Sequence, residues 1–140
     1  MPITFPDDLL IIKKWKAFKG KYPPGSDINH RIIIVFKCDD ILKCFHVTSK
    51  VENARKMAKK DLKSLVCLNS EDWDELTKES CIQCGKGYLF ELNETELRKD
   101  YSEGKVIPLG EIPEKVIKSI IFAICSSKTY NAKEKAMYTV

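Results

Sequence analysis

At 140 residues the chain is the size of one domain, long enough to bury roughly two-thirds of its unfolded surface around a single core. Its 44% hydrophobic and 31% charged residues exclude a disordered, collagen-like or low-complexity class, and its net charge of +4 is too small by itself to mark a nucleic-acid protein. The longest apolar runs, Leu9–Ile12, Ile32–Phe36 and Ile120–Cys125, fall well short of the ~20 residues that cross a bilayer, which excludes a membrane-spanning helix.

In chain order, residues 7–19 read as an amphipathic helix. Asp7 and Asp8 suit its start, and Leu9, Ile12, Trp15 and Phe18 fall near one stripe. Pro23, Pro24 and Gly25 end that pattern in a loop. Residues 31–37 are β-branched and continuously apolar, a buried strand, and 42–49 read as its hairpin partner. Residues 50–64 are a basic loop with six cations against Glu52 and Asp61, an excess equal to the net charge of the whole chain. Leu65–Leu68, Cys81–Cys84 and Tyr88–Glu91 are short strands, and Ser70–Thr77 suits a helical turn or two around Trp73. Asn93 opens a small polar helix. Residues 104–110 form a strand between glycines, and Pro113 opens a helix to about Ser126 with Val116, Ile117, Ile120, Ile121 and Ile124 inward. Residues 127–140 are polar and read as a loose tail. The expected fold is mainly β with helices (α+β), a small antiparallel barrel or half-barrel with surface helices and a C-terminal helix, in one domain.

Strand alternation points positions 44, 46 and 48 to one face, with Phe45 and Val47 turned to the core. His46 and Thr48 then share a surface, their Cα atoms about 7 Å apart. Histidine moves protons near neutral pH, arginine is the best forked donor to phosphate, and a threonine hydroxyl can hold a phosphate oxygen. The two histidines of the chain both lie beside such partners: His30 adjoins Arg31, and His46 shares its strand with Thr48. That set suits RNA cleavage by internal attack, which needs a base, an acid and a donor to the phosphate. The bland alternative is that these are ordinary surface or core residues, with Thr48 and Ser49 as a strand end and turn. Lys50, Arg55, Lys56, Lys59 and Lys60 could track an RNA backbone, or be a solvated loop.

The order of several stretches resembles the MazF/PemK-like toxin family: Asn29-His-Arg-Ile-Ile-Ile-Val-Phe36, Cys44-Phe-His-Val-Thr-Ser49, the Leu76-to-Gln83 segment with Ser80, and Gly104-Lys-Val-Ile-Pro-Leu-Gly110. The resemblance spans residues 21–126, leaving 1–20 as a helical arm and 127–140 as a tail. It implies an SH3-like barrel acting in the cytoplasm as a metal-independent endoribonuclease on single-stranded RNA, paired as a homodimer and with an antitoxin protein as partner. It also implies catalytic roles for Arg31, Thr48 and Ser49, with His30 or His46 moving protons. The family's Arg-Pro at the start of the apolar strand falls on His30-Arg31. A one-residue shift that moved Arg31 into place would turn the strand over. A non-catalytic barrel that binds RNA or a protein partner is the alternative.

Cys81-x-x-Cys84 looks like half a zinc site, but no second pair with matching spacing exists, so no metal and no cofactor are expected. Without a signal peptide, the six cysteines are expected to be reduced, as in the cytoplasm.

Overall fold

The computed structural model describes residues 12–139. Its centre is the expected hairpin. β2 (His30–Cys38) and β3 (Ile41–Thr48) pair antiparallel from Arg31 opposite Val47 to Cys38 opposite Ile41, with a register irregularity between Ile34 and Phe36. Asp39 makes the turn at φ 52°, in the left-handed region that a short polar side chain tolerates. On the other side of β2 lie β1 (Lys16–Gly20) and then β7 (Ile107–Glu111). The free edge of β3 is divided. Ile41–Cys44 pairs with β6 (Phe90–Asn93), while Val47 and Thr48 pair with β5 (Ser80–Gln83). Outside β5 lies β4 (Leu65–Leu68).

The outermost strands, β4 and β7, do not pair, so the sheet is open where a closed SH3-like barrel was expected. Its burial pattern accounts for this. A barrel encloses one face of its sheet, whereas here both faces carry a core. Ile33, Val35, Phe45 and Val47 pack on one side with Trp73, Ile82 and helix α3 (Glu114–Ser126). Ile32, Ile34, Leu42 and Cys44 pack on the other with Phe18, Val106 and Leu97 of helix α2 (Glu94–Ser102). The continuous apolar run of β2 is what two-sided burial requires. The edge at β4 is covered by α3 and by helix α1 (Val51–Met57) rather than by another strand. Among the described residues the fold is therefore a mixed α/β arrangement of seven antiparallel strands and four α-helices, with two short 3-10 turns.

Other local expectations divide. Asn93 does open α2, its side chain accepting from the Glu96 N–H, and Pro113 does precede α3, as its N-cap. Of the expected helix over 7–19, residues 7–11 lie outside the described part. Lys16–Gly20 form an interior strand instead, because Trp15 takes φ 66° and breaks the helical path. Lys16 is buried there and its Nζ donates to Glu111 at 3.0 Å. The basic segment is not a loop: α1 forms, with Ala54 and Ala58 one turn apart and both buried. Residues 70–77 make turns without a helix, since the Asp72 carboxylate accepts from the Asn69 N–H, the Asn69 side chain accepts from the Glu71 N–H, and Trp73 sinks into the core. The supposed tail holds α4 (Ala132–Thr139). Asn131 and Glu134 cap its start reciprocally, and Tyr138 lies edge-on to Phe36 and Tyr130 in the first core. Among the described residues no helix is long and apolar enough to cross a membrane.

Candidate functional site

At the end of the sheet where β2 begins and β3 ends, a cavity of about 400 Å³ opens. Strand phase sets up its floor. His30 lies two residues before Ile32, and His46 pairs with Ile32 across the strands, so both imidazoles project from the face that carries the second core. With the strands in register, the rings meet edge to face, centroids 5.0 Å apart. His30 Nδ1 lies 2.8 Å from the Tyr22 carbonyl. A carbonyl only accepts, so Nδ1 carries the hydrogen and donates it, which leaves Nε2 to exchange a proton with the cavity. Burial, and after it the charge of His30, holds His46 below the ordinary histidine value. His46 is thus kept in its neutral, basic form.

Thr48 shares the phase of His46 and lines the same cavity, as do Ser49 and Lys50. Its Oγ1 accepts from the Lys50 N–H at 3.1 Å, the bond of a strand-end turn, while the hydroxyl hydrogen stays available to a ligand. The turn residue and the candidate ligand group are therefore one side chain.

Arg31 reaches the cavity by a different route. It pairs with Val47, so its side chain leaves the sheet on the opposite face from His30, His46 and Thr48. Its Nη2 donates to the Glu75 carbonyl and its Nε lies 3.9 Å from a Glu75 carboxylate oxygen. That Nε is buried and makes no hydrogen bond. Arg31 therefore lines the cavity from the other face of the sheet, held by the loop over 69–79.

The remaining basic candidates are not brought in. Arg55 binds Glu52 and Glu79 on the outer side of α1, and Lys56, Lys59 and Lys60 are exposed away from the cavity lining. Arg55 and Lys56 lie on α1, whose geometry turns neighbouring side chains in different directions, and Lys59 and Lys60 lie in the turn that follows it. The wall on that side comes instead from Asn53, with Gln83 tying β5 to the Ala54 carbonyl at 3.3 Å. Lys78 and Ser80 complete it, Ser80 standing at the start of β5 where the resemblance had placed a serine. Asn53, Lys78 and Gln83 carried no sequence signal, since each is an isolated polar residue whose partners are distant in the chain.

The electrostatic character of the cavity follows from its lining. Arg31, Lys50 and Lys78 contribute positive charge, His30 and His46 are titratable, and among the described residues lining it there is no carboxylate. Such a lining attracts anions and supplies hydroxyl and amide groups to orient them. It offers a metal ion no anionic ligand, and among the described residues no cluster of three or more metal-binding side chains exists. The Cys81-x-x-Cys84 pair is split between faces: Cys84 is buried in the first core, while Cys81 meets Cys67 on β4. Compared with models of protein families, with curated proteins and with solved structures, the chain matches none of them.

Proposed function

We propose that the protein is a metal-independent endoribonuclease of the MazF/PemK-like kind, cleaving single-stranded RNA in this cavity. The observation that carries the proposal is the pair of touching histidines on a cavity lined by three cations and no carboxylate. His46, held neutral, takes the proton of the ribose 2′-hydroxyl. The 2′-oxygen attacks the adjacent phosphorus, and the bond to the 5′-oxygen breaks. His30, its Nδ1–H fixed on a carbonyl, delivers a proton from Nε2 to that leaving oxygen. The products are a 2′,3′-cyclic phosphate and a free 5′-hydroxyl. Thr48 and Lys50 hold the phosphate oxygens as charge builds. The likeness to SH3-like barrels belongs to this proposal and rests on the order of the motifs; so do the cytoplasmic setting, the homodimer and the antitoxin partner.

A second reading, a non-catalytic module that binds RNA or a protein partner, is favoured by one observation: the Arg31 guanidinium is engaged by Glu75. Incubation of the full chain with end-labelled single-stranded RNA in excess chelator separates the two. Cleavage leaving cyclic phosphate ends, and absent from an all-deoxy strand, is the expected result. Retention of intact RNA by the protein would establish a non-catalytic RNA-binding module, and neither binding nor cleavage would remove the nuclease and leave only a protein partner for the second reading.

A further inference from the structure

On the edge of the sheet beyond Thr48, β4 and β5 set two sulfurs against each other. Cys67 and Cys81 are direct partners in the antiparallel register, and their Sγ atoms lie 2.9 Å apart. Antiparallel partners hold their Cα atoms about 4.5–5.5 Å apart, inside the roughly 4.4–6.8 Å span that a disulfide bridges. A bond between them needs side-chain rotation only, with no sliding of strands. Cys67 is exposed and open to small oxidants, whereas Cys81 is buried beneath it. The other strand cysteines have no such arrangement: Cys38 pairs with Ile41, and Cys44 with Ile34 and Phe90.

We propose that Cys67 and Cys81 form a reversible dithiol–disulfide site, oxidised by peroxides and reset by small thiols. The Cys67 thiolate attacks one oxygen of the peroxide. The O–O bond breaks, Cys67 becomes a sulfenic acid, and the departing hydroxide is protonated to water. The Cys81 sulfur then attacks the Cys67 sulfur. The S–S bond forms, the S–O bond breaks, and the hydroxide leaves as water with the proton of Cys81. The two thiols lose two electrons, which the peroxide takes up. Two equivalents of a small thiol reverse the change and leave as their own disulfide.

The two sulfurs divide the work by their surroundings. Cys67, the exposed sulfur, is the one that a small oxidant reaches first. Burial, then the hydrogen bond and charge of Cys67, push the Cys81 thiol up to about 12. Cys81 therefore keeps its proton until the sulfenic acid forms and serves as the resolving partner. This site stands independently of the RNA reading.

The test uses the reduced full chain, treated with hydrogen peroxide, denatured, alkylated and mapped by mass spectrometry. Alkylation is expected to fall from six thiols to four, with one peptide pair joining Cys67 to Cys81 and disappearing on treatment with glutathione. Cys67→Ser, at an exposed position, is expected to fold and to leave Cys81 alkylated after the same treatment. Links made only through Cys38 or Cys125, or Cys67 oxidised to sulfinic acid while Cys81 stays alkylated, would overturn the proposal.

Discussion

Replacing His46 by Asn is expected to lower RNA cleavage by roughly 10²–10⁴-fold, the range lost with a positioned acid or base. His30→Asn is expected to lose a similar factor, and the double variant little more, because the two groups act in one proton relay. Burial, and then the charge of His30 with its ring 5.0 Å away, disfavour a proton on His46, and the step needs His46 without its proton and His30 with one. Cleavage should therefore follow a bell-shaped pH profile in the wild type, with the acidic limb removed in His46→Asn. The same histidine marks stability. Its folded-state value lies below its unfolded one, chiefly through burial and then through His30. On acidification below the ordinary value of about 6.5 the unfolded chain takes up a proton that the fold refuses, so stability falls. Urea unfolding at pH 7 and pH 5 should show a smaller loss for His46→Asn than for wild type. Equal losses would mean that His46 is not held neutral, and unchanged cleavage would exclude it as the base.

Trp73→Ala is expected to cost about 3–5 kcal/mol, the usual range for removing a large buried aromatic side chain. Trp73 is 2% exposed and, with Leu76, anchors the 69–79 loop in the first core. That loop carries Glu75, which holds Arg31, and then Thr77 and Lys78 of the cavity wall. The variant should lose affinity for RNA as well as stability, and its urea midpoint should fall at unchanged slope. Lys56→Ala, exposed on α1, should stay within about 0.5 kcal/mol of wild type. A Trp73→Ala loss no larger than that of Lys56→Ala would contradict the packing described.

The hairpin was legible in the sequence because its apolar content left no other use for residues 31–37. The phase that joins His46 to Thr48 followed from alternation alone. Helix α3 was legible from its proline and its stripe. The same stripe logic failed at the N-terminus, where Ile12, Trp15 and Phe18 fit a helical period although the chain turns at Trp15 and continues as a strand. Lys16 would fall off that stripe in a helix, yet it is buried with Glu111 for a partner 95 residues away. Cys44 shares the strand phase of His46 and Thr48 but not their exposure to the cavity. It lies in the second core instead, since Leu97 of α2 covers that half of the sheet. The tail misled by composition: its buried tyrosines are only two residues among polar ones, and the Asn131–Glu134 cap was the one local signal. Arg31 was placed beside the site by its neighbour in sequence, but what it touches depends on Glu75, which no local pattern reveals.

The most direct measurement is a nuclear magnetic resonance titration of isotope-labelled protein with a short single-stranded RNA carrying 2′-O-methyl riboses, which cannot undergo internal attack. The account predicts that the imidazole signals of His30 and His46 and the amides of Ser49, Lys50 and Asn53 shift together and saturate. Unmoved imidazoles, or shifts confined to the opposite side of the sheet around α3 and α4, would contradict it.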